Sequence, residues 1–182
     1  MIIVTGGTSG LGKAIVKGLQ SQGIDTFTIS RSNDTIKNHF QCDITKYDDL
    51  KKLYKQFTKE KKTIEAIVNC AGIASMNLAI TTPKNIIDKV ITTNLIGTIY
   101  TNQIFAPLLI RNGKGRIINF STIAVSLALE GESVYIASKA GVEAFSRSFA
   151  KELAGFNITV NCIAPGPIRT NLLKGISDQQ IS

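Results

Sequence analysis

Short runs of consecutive Ile and Val, alternating with longer amphipathic stretches, predict an α/β domain built on a parallel sheet. Three observations carry this. Ile2-Ile3-Val4, Ala66-Ile67-Val68 and Ile117-Ile118 are apolar at successive positions, as strands buried on both faces are. The segments between them carry apolar residues at helical spacing. Strand and helix alternate along the whole chain, which implies right-handed crossovers and helices on both sides of a doubly wound sheet. The 182 residues suit one domain spanning 1–182. No repeat, low-complexity tract or linker divides it.

Taken in order, Ile2-Ile3-Val4 is the first strand, and a glycine-rich turn leads to a helix over about 10–22 with Leu11, Ile15 and Leu19 on one face. Thr26-Phe27-Thr28-Ile29 and a brief run around Phe40 are the next strands. Leu50, Leu53, Tyr54 and Phe57 then mark an amphipathic helix by their i, i+3, i+4, i+7 spacing. Ala66-Ile67-Val68 follows. Thr82-Pro83 reads as an N-cap with proline at the first helical position, opening a long helix from Asn85 to about Arg111. Arg116 to Phe120 is a strand, 133–154 a helix with Val142, Phe145 and Phe149 on its apolar face, and Asn157 to Ile163 a strand.

Net charge is +8, from 21 basic and 13 acidic residues. Half of it lies between Lys46 and Lys62, where seven lysines face Asp48, Asp49 and Glu60. A solvated helix face accounts for those lysines, and no surface for reading nucleic acid is expected. No stretch approaches the ~18 apolar residues of a membrane span, and Met1 to Gly6 lacks the basic start of a signal peptide. Cys42, Cys70 and Cys162 are far apart and share no metal-ligand spacing, so no metal is expected. Reduced core cysteines and a cytoplasmic location are the expectation.

Gly6, Gly10 and Gly12, with Thr8, Ser9 and Leu11 between them, sit between the first strand and the first helix. Glycine lets backbone turn tightly and approach a pyrophosphate, whose charge is met by amides at the helix start. The spacing Gly-x-x-x-Gly-x-Gly is not the G-x-G-x-x-G fingerprint. A carboxylate at the end of the second strand would hold a ribose 2′-hydroxyl. That neighbourhood reads Ile29-Ser30-Arg31-Ser32 instead, and Arg31 can fork onto a 2′-phosphate. NADP(H) is therefore favoured over NAD(H).

Six motifs in order now accumulate: the glycine turn, Asp43, Asn69-Cys70-Ala71-Gly72, Asn94, Tyr135-Ile136-Ala137-Ser138-Lys139, and Pro165-Gly166-Pro167-Ile168-Arg169-Thr170. Together they resemble the short-chain dehydrogenase/reductase family, and most closely bacterial 3-oxoacyl-acyl-carrier-protein reductases. The resemblance covers Ile2 to about Thr170. It implies a Rossmann-type sheet of strand order 3-2-1-4-5-6, and reduction of a carbonyl, such as a 3-oxoacyl thioester, to an alcohol.

Tyr135 and Lys139 lie i, i+4 on a helix and so share a face. A nearby ammonium is expected to lower the phenol's pKa and make Tyr135 an acid/base. By resemblance, Tyr135 gives a proton to the carbonyl oxygen, Lys139 also binds the nicotinamide ribose, and Asn94 supports a relay water. Asp43 would contact adenine, and Ile44, Asn69, Ala71 and Gly72 would line the cofactor. Pro165, Gly166, Ile168 and Thr170 would complete its site, the last two at the carboxamide. The family serine, thirteen residues before the tyrosine, is Thr122 here, with Ser121 beside it. Threonine keeps the hydroxyl, and alternation along a strand lets only one of the two serve.

His39, the single histidine, is assigned no role. The stretch from Arg31 to Asp43 is too short for the helix the family fits there. Members continue through another helix and a seventh strand, so the chain is expected to be a truncated form, ending in the substrate loop after about 170. Lys174 and Arg111 are candidate docking residues for an acidic acyl carrier protein. A homodimer or homotetramer is expected by resemblance. The competing readings are a catalytically impaired member serving as a cofactor-binding sensor or subunit partner, and a nucleic-acid binder.

Overall fold

A computed structural model of the chain describes residues 1–168. Its six strands form one parallel sheet in the order β3-β2-β1-β4-β5-β6. The strands are β1 (Ile2–Thr5), β2 (Thr26–Ser30), β3 (His39–Gln41), β4 (Ala66–Asn69), β5 (Gly115–Phe120) and β6 (Ile158–Ile163). The expected strand order is the observed one. β2 and β4 are buried along their whole length and β1 nearly so, because they lie inside the sheet with helices over both faces. β6, at one end of the described sheet, alternates instead, with Thr159, Asn161 and Ile163 exposed.

Helices α1 (Gly10–Ser21), α2 (Tyr47–Lys59), α3 (Lys84–Ile91), α4 (Gly97–Arg111), α5 (Ala124–Leu127) and α6 (Ser133–Leu153) make the crossovers. Phe27, Phe57 and Phe105 centre the core between the sheet, α2 and α4, with ring centroids 4.6 Å and 5.9 Å apart along that row. The lysines of α2 face water while Leu50, Leu53 and Phe57 are buried, as the spacing predicts. The link between β2 and β3 holds no helix, also as expected.

Three local expectations are corrected. Thr82 does not cap α3: its hydroxyl donates to the Leu78 carbonyl, closing the short 3-10 turn before it. Pro83 itself occupies the cap position, its extended backbone aiming a carbonyl at Ile86 and Ile87 N–H. The long helix is not uniform, for residues Thr92–Ile96 make a π turn between α3 and α4. There the hydroxyls of Thr98 and Thr101 donate to the Asn94 and Gly97 carbonyls, 2.7 Å and 2.8 Å away. On α6 the most buried face is not that of Phe145 and Phe149, which are half-buried and stack on each other. It is Tyr135, Ser138, Lys139, Val142 and Ser146. Ser138, Lys139 and Ser146 face inward because each finds a partner in the sheet or in the π turn.

Candidate active site

The C-terminal ends of β1, β2, β4 and β5 open onto one cleft of about 790 Å³. At one end its floor is the glycine turn, lined by Gly6, Thr8, Ser9, Gly10, Leu11 and Gly12. Two backbones nearly touch here. A Cβ on Gly12 would stand 2.4 Å from the Gly6 carbonyl oxygen, and one on Gly6 would stand 2.8 Å from the Ala71 Cα. Gly6 also has φ +69°, the left-handed region where a side chain is strained. Ser9 heads α1 in extended conformation without a capping bond, so its hydroxyl and the first amides of the helix are open to a ligand. These are the fittings of an anion cradle, and a dinucleotide pyrophosphate matches them.

Beyond the turn, Arg31, Asp43 and Ile44 line the same end. One carboxylate oxygen of Asp43 accepts both the N–H and the hydroxyl of Thr45, each at 2.9 Å, which fixes the side chain. Ala71 and Gly72 line the middle of the cleft, and Pro165, Gly166 and Ile168 its far wall. Thr170 and Lys174 lie outside the described residues.

Tyr135 and Lys139 both reach the cleft from one face of α6. The Tyr135 phenol lies beside Thr122 and is influenced by its hydroxyl, which accepts the Ala124 N–H at 3.2 Å. Ser121 turns the other way, its hydroxyl bonded to Glu143 of α6. Both neighbours follow the end of β5 and line the cleft, and Thr122 is the one beside the phenol. The Lys139 ammonium is buried and donates to the Phe120 carbonyl at 2.8 Å. A Cβ on Gly72 would stand only 3.4 Å from it.

The expected lowering of the Tyr135 pKa is not what this geometry gives. Burial pushes the phenol up, the Thr122 hydroxyl pulls it partly back, and Glu132 adds a further upward push. Burial lowers Lys139 itself from 10.5 to about 8. Burial also pushes the thiol of Cys70, half-buried nearby, up to about 12.

Two predicted site residues are not brought to the cleft. Asn94, in the π turn, is completely buried; its Oδ1 accepts the Ile73 N–H and its Nδ2 donates to the Ile73 carbonyl, both at 2.8 Å. The same Nδ2 reaches the Ser138 hydroxyl at 3.0 Å. Both amide hydrogens are therefore engaged, and Asn94 ties the loop after β4 to α6. Asn69 lies beneath the cleft, its Nδ2 donating to Asn119 Oδ1 at 2.8 Å and to Asn102 Oδ1 at 3.1 Å. Asn119 Nδ2 in turn donates to Ser146 of α6 at 2.8 Å. This buried amide cluster joins β4, β5, α4 and α6.

Sequence reasoning missed most of the opposite end of the cleft. Ile73, Met76, Ile123, Leu129 and Pro167 line it, with Glu132 as its charged group. Glu132 stood three residues before Tyr135, a helical step that could have flagged it. The apolar residues come from four separate loops, and no local pattern unites them.

The comparisons with known proteins agree with this geometry. A family model described as short chain dehydrogenase matches residues 1–181. The chain is 32% identical over 188 residues to carbonyl reductase family member 4 of Xenopus tropicalis, covering 98% of this chain and 80% of that protein. It is 31% identical over 172 residues to the 3-oxoacyl-[acyl-carrier-protein] reductase FabG of Staphylococcus epidermidis, covering 94% and 66%. Among solved structures, ligand-free aldohexose dehydrogenase of Thermoplasma acidophilum superposes with a TM-score of 0.89 at 28% identity, covering 99% of this chain and 74% of that one. A 4-hydroxyisoleucine dehydrogenase complexed with NADH superposes with a TM-score of 0.87 at 26% identity, covering 94% and 77%. With its sheet order, glycine cradle and Tyr135–Lys139 pair, the chain belongs to the short-chain dehydrogenase/reductase family of oxidoreductases.

Proposed function

We propose that the protein reduces a ketone to a secondary alcohol with NADPH, and that Tyr135 is the proton donor. The observation that carries this reading is one cleft with an anion cradle at one end and the Thr122–Tyr135 hydroxyl pair, beside Lys139, at the other. Bound at the cradle, the nicotinamide cofactor supplies the hydride. The protein's own residues manage the oxygen. Thr122 orients the substrate carbonyl by hydrogen bonding, and the Tyr135 O–H transfers its proton to that oxygen as negative charge develops there. A phenol held above its ordinary pKa keeps its proton at neutral pH, which suits a donor in the reducing direction. Lys139 lies beside Gly72, where it would hold the ribose hydroxyls, and Asn94 fixes the neighbouring loop through Ile73.

Arg31 favours a phosphorylated ribose, since it lines the adenosine end of the cleft and Asp43 is tied to Thr45. The apolar lining opposite suits an aliphatic ketone or a 3-oxoacyl thioester. Oxidation of NADPH and of NADH should be followed with a panel of both substrate classes. Tyr135→Phe should lower kcat by roughly 10²–10⁴-fold, with cofactor affinity unchanged, and Thr122→Ala should lower kcat less. Full turnover in Tyr135→Phe would overturn the mechanism.

A further inference from the structure

His39 and Gln41 are two residues apart on β3 and both bond to the turn that follows β2. His39 Nε2 lies 2.8 Å from the Ser30 hydroxyl. Gln41 Nε2 donates to the Arg31 carbonyl at 3.0 Å. Side chains at i and i+2 of a strand point the same way, so the pair forms a two-point clamp on Ser30–Arg31–Ser32. The link from Arg31 to Asn38 has no helix to brace this turn. The clamp takes that place.

The chain of contacts continues into the cleft. The Ser30 hydroxyl donates to the Ser32 carbonyl at 3.0 Å and lies 3.3 Å from the Ser32 hydroxyl. The Ser32 hydroxyl lies 3.3 Å from that of Thr8 in the glycine turn. Thr8, Ser30, Arg31 and Ser32 all line the cleft. Ser30 and His39 Nε2 share one hydrogen bond whose direction follows the imidazole tautomer. The 3.3 Å contacts of Ser32 are long for hydroxyl pairs, so its O–H turns to a stronger acceptor at little cost. An anion at this corner would meet the Arg31 fork and two hydroxyls at once.

We propose that His39 and Gln41 are positioning residues for cofactor choice. They hold the β2 turn so that Arg31, Ser32 and Thr8 converge on a ribose 2′-phosphate. The inference rests on the NADP(H) reading given above and assigns the single histidine a place in it.

Calorimetric binding of 2′,5′-ADP and of 5′-ADP tests both without turnover. The wild-type chain should bind 2′,5′-ADP at least tenfold more tightly, and Arg31→Ala should remove that preference. His39→Leu and Gln41→Leu should each reduce it severalfold, with 5′-ADP affinity within twofold of wild type. His39→Gln, which keeps an N–H donor, should restore it. Ser32→Ala probes the same corner from an exposed position where folding is not at stake, and it too should reduce the preference. If His39→Leu, Gln41→Leu and Ser32→Ala all keep the wild-type preference while Arg31→Ala loses it, the clamp is refuted and the NADP(H) reading stands. If the wild type shows no preference, both fall.

Discussion

The two ends of the cleft are built by opposite means. At the glycine turn the site exists because atoms are missing: Gly6 meets Ala71, and the Gly12 Cα faces the Gly6 carbonyl, with no room for a Cβ between them. At the Tyr135 end the site exists because polar side chains are packed inside and bonded. Asn69, Asn102 and Asn119 with Ser146 pin α6 to the sheet, and Asn94 pins Ser138 and Ile73. One end is thus vulnerable to added bulk, the other to a lost hydrogen bond.

Asn119→Ala tests the second half of that contrast most severely. It leaves Asn102 Nδ2 without a partner, and takes one of two partners from Asn69 Nδ2 and from the Ser146 hydroxyl. Urea unfolding should show a loss on the order of 3 kcal/mol, since a buried group left unpaired costs roughly 1–3 kcal/mol and the two weakened groups add to it. A loss under about 1 kcal/mol, within the range of an ordinary surface change, would mean the amides are not what holds α6.

Lys139→Met sharpens the same half by removing a buried charge. Lys139 titrates near 10.5 when unfolded and near 8 when folded. Its desolvation cost is present in full below pH 8 and fades as pH rises to 10.5, where both states are neutral. Wild-type stability relative to Lys139→Met should therefore climb across that window by something on the order of 3 kcal/mol. Parallel pH–stability curves for the two proteins would show that the ammonium is not buried as described.

The gentlest test uses one helix twice. Gly12→Ala drives a methyl against backbone and should cost about 1–3 kcal/mol together with 5′-ADP affinity. Gly18→Ala, in the same α1 but with nothing within 4 Å of its added Cβ, should gain about 0.5–1 kcal/mol and bind 5′-ADP normally. Equal effects at the two positions would erase the distinction between the two ends.

Much of this was legible in the chain itself, and what was not shares one cause. The α2 face follows from local periodicity, and the strand order from the family that the ordered motifs resemble. Periodicity failed at α6, where Phe145 and Phe149 looked like the buried stripe and Ser138, Lys139 and Ser146 proved more deeply buried. A polar side chain enters a core only with its partner, and these partners lie far away: Asn94 is 44 residues from Ser138 and Asn119 is 27 from Ser146. The π turn was hidden for the same reason, for no residue in Thr92–Ile96 breaks a helix. His39 was passed over because its partner Ser30 lies nine residues away on a neighbouring strand, a pairing no local pattern signals.

The position of β1 bears on how the protein is made. It is flanked by β2 on one side, Ile2 opposite Thr26, and by β4 on the other, Ile2 opposite Ala66. Synthesis runs from the N-terminus, so β1 and β2 leave the ribosome well before β4 does. Until Ala66–Asn69 emerges, the strand that carries the glycine turn shows a bare row of amides and carbonyls along an Ile-Ile-Val sequence. Among the described strands paired on both sides, β1 is thus the one that waits longest, in the nascent chain, for its second neighbour.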